Sequence, residues 1–162
     1  MRLTPTLIVL ALLCQTTPAA AQGGGHTSGF LFGGTGGIDP DDKLTFWTGQ
    51  TWSTGGGLDH RFASGFLLQA EAELLQRPDS PGEQTSFLPS VNVGFASKHP
   101  RVAPFASGGY TFAGNSAAFN VGAGVNIGVH KHVALRVEAR NFHMIFDVPL
   151  NVYEVRFGIT FR

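Results

Sequence analysis

Charged side chains recur two residues apart in three stretches of this chain: Glu71 and Glu73; Arg136, Glu138 and Arg140; Glu154 and Arg156. A spacing of two puts the members of each set on one face of a β-strand, because successive side chains point to opposite sides. Four acids and three bases on such faces can neutralise one another through charge-assisted hydrogen bonds, provided the strands turn those faces toward a common interior. The chemistry they offer is ion pairing, either as a structural plug or as the lining of a narrow polar path with a weak bias toward cations.

Other reactive residue types are present without a convincing pattern. Of six histidines, His130 and His132 stand at i and i+2 and could share a metal, but they fall in a basic turn with too few further ligands nearby. His143, Asp147 and a serine such as Ser86 could form a nucleophilic set only if the fold joined them, and no acyltransferase-like or deacylase-like signature surrounds them. The runs Gly23-Gly24-Gly25, Gly33-Gly34-Thr35-Gly36-Gly37 and Gly55-Gly56-Gly57 lack the lysine-serine/threonine ending and the helix of a phosphate loop. No catalytic residue, cofactor-binding residue or metal ligand is assigned, and no cofactor is expected.

The elements that carry the charged sets are strands with two incompatible faces. In the last one, Tyr153, Val155, Phe157, Ile159 and Phe161 oppose Glu154, Arg156, Gly158 and Thr160. Leu68, Ala70, Ala72 and Leu74 oppose Gln69, Glu71 and Glu73. Val133, Leu135, Val137 and Ala139 oppose Arg136, Glu138 and Arg140. Phe119 to Val129 alternates apolar residues with Asn120, Gly122, Gly124, Asn126 and Gly128, and Phe87 to Phe95 sets apolar residues against Ser90, Asn92 and Gly94. Eight strands are expected, near 26–35, 45–60, 63–76, 85–97, 101–113, 117–130, 133–145 and 151–161. An even count permits antiparallel up-and-down closure.

Composition and the N-terminus decide which face points inward. Arg2, the apolar run Leu7 to Leu13 and the small residues Ala19-Ala20-Ala21 read as a cleaved export signal over 1–21, leaving 22–162 as one domain. The single cysteine, Cys14, lies in that leader, and Leu13 before it does not fit a lipoprotein signal, so the mature chain has no disulfide and no thiolate nucleophile. Eleven basic and eleven acidic residues give no net charge, which supports neither nucleic-acid binding nor electrostatic anchoring to a membrane surface. Glycine, 22 of 162 residues, is about twice its average frequency of ~7%. In an exported soluble barrel that holds a lipid, the charged faces would meet water. In a transmembrane barrel they face the lumen, because an Arg or Lys toward mid-bilayer lipid costs about 2–4 kcal/mol. The glycine-rich polar faces and the aromatic end of the last strand favour the transmembrane form. Eight strands enclose an interior only wide enough for side chains to fill.

The connections give an orientation. Those after strands two, four and six are short and basic or small (Arg61 to Ser64, Lys98-His99-Pro100-Arg101, His130-Lys131-His132). Those after strands one, three and seven are longer or acidic (Asp39-Pro40-Asp41-Asp42, Arg77 to Glu83, Phe146 to Leu150). Short turns belong to the periplasmic side of outer-membrane barrels and long loops to the outside. The connection Ala113-Gly114-Asn115-Ser116 is short and fits this less well. Trp47, Trp52, Phe66, Phe95, Tyr110, Phe112 and Phe161 are candidates for interfacial aromatic girdles.

Three stretches carry a resemblance over the whole mature region: Pro104-Phe105-Ala106-Ser107-Gly108-Gly109-Tyr110; Gly122 to Gly128 followed by Leu135 to Arg140; and Phe157-Gly158-Ile159-Thr160-Phe161. With them the chain resembles the small bacterial outer-membrane β-barrels typified by OmpA and OmpX. The resemblance implies a Gram-negative cell envelope, residence in the outer membrane in contact with its lipid, and insertion by the outer-membrane assembly machinery, which reads an aromatic last residue. Here Arg162 follows Phe161. The resemblance implies a structural or surface-interaction role with an unspecified loop partner. A narrow channel and a lipid-modifying barrel enzyme, both of which such barrels can be, are the alternatives.

Overall fold

The computed structural model describes residues 25–39, 50–77, 84–99, 101–114, 116–144 and 150–162. These hold eight strands: β1 (His26–Asp39), β2 (Gln50–Arg61), β3 (Phe66–Arg77), β4 (Gln84–Ala96), β5 (Val102–Ala113), β6 (Ser116–His130), β7 (Val133–Met144) and β8 (Leu150–Phe161). Each pairs antiparallel with its neighbours in sequence, and β1 pairs β8, so the sheet closes into a barrel with no free edge. The expected strands are all present. β1 runs on to Asp39, past the expected end at residue 35, and β2 begins at Gln50; the expected start of that strand, 45–49, lies outside the described residues, as do the export signal and Trp47.

Closure fixes the faces. Across β6, β7, β8 and β1 the register joins Val125 to Val137, Val137 to Phe157, and Phe157 to Gly33, one continuous outward row. The adjacent row joins Gly124 to Glu138 and Glu138 to Arg156, and it points inward. A slip of one residue would exchange these faces. Phe157 is 59% exposed and its strand neighbour Arg156 is 1% exposed. The arrangement with charge in water and apolar faces inside is therefore excluded. The single irregularity between β6 and β7 lies between Gly128 and His130, where the ladder shifts register at the turn end.

Short turns gather at one end, between β2 and β3, β4 and β5, and β6 and β7. The first is closed by Gly65, whose φ of 93° suits glycine. Most exposed aromatics lie near the ends of the strands: Phe62, Phe95 and Phe161 at the turn end, with half-buried Phe66 beside them, and Trp52, Phe87, Tyr110, Phe112 and Phe119 at the other, while Phe157 stands between. Phe66 meets Phe95 edge-on with centroids 5.9 Å apart, and Tyr110 and Phe119 are 4.6 Å apart. Aromatics concentrated toward both ends of a largely apolar outward band are the surface of a transmembrane barrel.

Candidate functional site

The inward row of each strand meets at the centre of the barrel. β3 contributes Gln69, Glu71 and Glu73; β7 contributes Arg136, Glu138 and Arg140; β8 contributes Glu154 and Arg156. All of them are buried. β2 adds an eighth ionisable group, Asp59, at 3% exposure.

These groups form one connected chain. Arg136 Nη1 donates to Asp59 Oδ2 at 2.8 Å, and its Nε and Nη2 donate to Glu138 Oε2 at 3.1 and 3.0 Å. Glu138 Oε1 accepts from Arg140 Nε at 2.7 Å. Arg140 Nη1 reaches Glu71 Oε1 at 2.7 Å, and the same oxygen accepts from Arg156 Nη1 at 3.2 Å. Arg156 then binds Glu154 Oε2 through Nε at 2.9 Å and Glu73 Oε2 through Nη2. Neutral partners close further valences: Arg140 Nη1 and Nη2 donate to Asn120 and Gln69, and Gln69 Nε2 donates to Asp59 Oδ1 at 3.0 Å. Each arginine uses its fork on two or more carboxylates, as a planar guanidinium allows.

Aromatic rings complete the site. The Arg136 guanidinium lies 4.3 Å from the ring centroid of Phe30 and 4.2 Å from that of Phe105. Arg156 lies 4.5 Å from Phe32 and 5.1 Å from Phe142. Such distances are within cation–π range. Lumen glycines make the room: a Cβ at Gly55 would stand 2.6 Å from Phe32 Cζ, one at Gly57 2.8 Å from Phe30 Cζ, and one at Gly124 2.7 Å from Phe105 Cζ. Gly122 does the same for charge, since a Cβ there would stand 2.7 Å from Glu138 Oε1.

The charged centre is flanked by apolar clusters, although polar side chains such as Thr51 and Ser53 at one end and Arg61 and Thr160 at the other are also buried. Leu67, Ala96 and Phe105 cluster toward the turn end, and Ile38, Leu75, Leu88, Ala118, Phe142 and Val152 toward the loop end. The ion-pair network is thus held between two apolar clusters, where loss of water strengthens each pairing and raises the cost of leaving a charge unpaired.

Alternation assigns four acids to the network; with Asp59 there are five, paired with Arg136, Arg140 and Arg156, while a fourth buried arginine, Arg61, lies outside the network and donates Nη1 to Ser97 O at 3.0 Å. Asp59 and the four phenylalanines fall outside the expected set. In β1 and β2 glycine and small residues occupy both faces, so alternation gives no polarity there. The signal that recovers them is register: Phe30 pairs with Gly57, and Asp59 with Gln69.

The remaining candidates are not brought together. His143 lies on the outward row of β7 and its Nδ1 is 2.9 Å from Asn151 Oδ1, whereas Ser86 pairs with inward-facing Leu75; Asp147 lies outside the described residues. The rings of His130 and His132 are 6.2 Å apart at the turn end, and among the described residues no group of three or more potential ligands surrounds them.

No protein-family model matches the chain, and no curated protein matches it by sequence. Solved structures do match its fold. Neisserial surface protein A is 12% identical with a TM-score of 0.65, over 85% of this chain and 98% of that one. A de novo designed transmembrane β-barrel is 17% identical with a TM-score of 0.58, over 83% and 93%. The N-terminal β-barrel domain of Pseudomonas aeruginosa OprF is 12% identical with a TM-score of 0.55, over 83% and 96%. The chain has the fold of the small eight-stranded outer-membrane β-barrels.

Proposed function

We propose that this protein is a non-enzymatic outer-membrane barrel with a closed, side-chain-filled lumen, serving envelope structure or surface interaction through the loops at the end opposite the short turns. One observation carries this reading: the ion-pair network crosses the lumen from β2 and β3 to β7 and β8 with its side chains buried, while the outward rows are apolar and exposed. A polar centre filled in this way leaves no convergent substrate site. Apolar clusters above and below it oppose the passage of hydrated ions. The fold shared with Neisserial surface protein A and OprF supports the outer-membrane location.

Fractionation of expressed cells, a heated-versus-unheated gel in detergent and planar-bilayer recording test the reading together. Outer-membrane recovery, a heat-dependent mobility shift and no discrete conductance are expected. Discrete conductance steps would replace the closed plug with a narrow channel, and a changed lipopolysaccharide acyl pattern on expression would replace it with a lipid-modifying enzyme.

A further inference from the structure

The turn end of the barrel is chemically one-sided. Lys98, Arg101, Lys131 and Arg162 are all exposed there, accompanied by His26, His99, His130 and His132. Among the described residues of that end the only acid is Asp59, and it is buried against Arg136. In sequence, the connections after β1, β3 and β7 hold Asp41, Asp42, Asp79, Glu83 and Asp147, with Lys43 and Arg77 in or beside them.

The backbone that carries these cations is held in place. Ser97 N donates to Pro104 O at 2.8 Å and Val102 N to His99 Nδ1 at 3.1 Å, closing the β4–β5 turn. Gly128 N donates to Arg101 O at 2.7 Å, tying that turn to the end of β6. Arg162 N donates to His132 O at 2.9 Å, tying the end of β8 to the β6–β7 turn. The result is a continuous arc from β4 to β8 with little backbone order left to acquire on binding. On the same arc, one step toward the middle of the barrel, the outward face presents Phe95, Val102, Ile127, Val129 and Phe161, all exposed. An apolar, partly aromatic belt followed at once by cations on an ordered backbone matches the succession from acyl chains to phosphate in a lipid leaflet.

We infer that this cationic arc is a docking surface for anionic phospholipid headgroups of the leaflet that meets the turn end. The inference rests on the membrane-barrel reading above. The apolar belt selects a lipid over a soluble anion, because the phosphate must lie directly beyond the hydrocarbon that covers Phe95 and Phe161.

Folded barrel in mild detergent, equilibrated with equimolar dioleoyl phosphatidylglycerol and dioleoyl phosphatidylcholine and analysed by mass spectrometry for retained lipid, tests it. Phosphatidylglycerol is expected to be enriched several-fold, to lose up to roughly fivefold per cation removed at low salt, and to fall to parity in the Lys98→Ala/Arg101→Ala/Lys131→Ala variant and in 0.5 M salt. An Asp41→Asn/Asp42→Asn variant should keep the enrichment. Equal retention of both lipids by a wild-type barrel that shows the heat-dependent shift overturns this proposal alone, as does enrichment that survives the triple substitution. A wild-type chain soluble without detergent overturns the membrane reading as well. Parity of the lipids combined with triple-variant loss of cosedimentation with peptidoglycan sacculi would assign the arc to the cell wall and overturn the lipid assignment.

Discussion

Glu71 on β3 and Arg140 on β7 meet across the diameter of the barrel, four strands apart, with Oε1 and Nη1 at 2.7 Å and both side chains fully buried. The contact is a strut rather than a neighbour pair. Because Glu71 Oε1 also accepts from Arg156, it joins the Arg136–Glu138–Arg140 row to the Glu154–Arg156 row. Arg140→Met leaves Glu71 short of a partner and Glu138 with Arg136 alone, and should cost about 3–5 kcal/mol, the range for removing one partner of a buried pair. Glu71→Met/Arg140→Met together should cost less than the sum of the two singles. Denaturant titration in detergent, read by the heat-dependent mobility shift, measures all three. A cost below about 1 kcal/mol for Arg140→Met would show that the strut carries no stability.

Arg136 is held by two rings as well as two carboxylates, so charge alone should not replace it. Arg136→Lys keeps the cation but loses the fork that spans Asp59 and Glu138 and the delocalised guanidinium that lies against both Phe30 and Phe105. A loss of about 1–3 kcal/mol is expected, with Phe105→Leu contributing about 0.5–2 kcal/mol through the cation–π contact on top of its packing loss. In Arg136→Met, the ring-specific part of the Phe105→Leu cost should vanish. An unchanged Phe105→Leu cost in that background would mean the rings act only as filler.

Gly122 tests whether the lumen has space to spare. A methyl there meets the Glu138 carboxylate at 2.7 Å and Arg140 Nε at 3.1 Å, both fixed by their ion pairs. Gly122→Ala should destabilise the barrel by about 1–3 kcal/mol, the usual cost of overpacking. The effect should shrink when Glu138 is replaced by Ala, although that substitution is itself costly. Additive costs in the double variant would place the clash elsewhere, such as at the Ala139 carbonyl.

Much of the barrel and its charged centre is legible in the order of the residues. In β3, β6, β7 and β8 each face has its own chemistry, so Glu71, Glu73, Arg136, Glu138, Arg140, Glu154 and Arg156 declare their side directly, and the number and order of strands follow from the turns. Pairing geometry is not legible there: that Arg136 chooses Asp59, or that Arg140 reaches Glu71, depends on which strands face each other across a closed barrel and on their register. The lumen rings are hidden for a different reason. Phe30 and Phe32 on the inside are the same residue type as Phe87 and Phe95 on the outside, and only the glycines across from them, Gly55 and Gly57, mark the difference. The apolar clusters toward the ends of the lumen are obscured likewise, because Leu67, Leu75 and Leu88 look like misplaced members of an apolar face.

The outward rows supply the sharpest separation of a membrane barrel from a water-exposed one. Val91, in the middle of the outward face of β4, is 52% exposed, and Val129, beside the β6–β7 turn, is 58% exposed. In water an arginine at either place would cost little, because surface substitutions away from special features usually fall within about 0.5 kcal/mol. In a bilayer the two positions differ by depth. Val91→Arg should cost about 2–4 kcal/mol when the barrel is folded in phosphatidylcholine vesicles, and Val129→Arg about 0–1 kcal/mol. The same pair in short-chain detergent, which adapts to a charged surface, should show a smaller gap. Equal costs in vesicles would mean that the outward face of β4 is not buried in hydrocarbon, and the membrane assignment of this barrel would fall with that result.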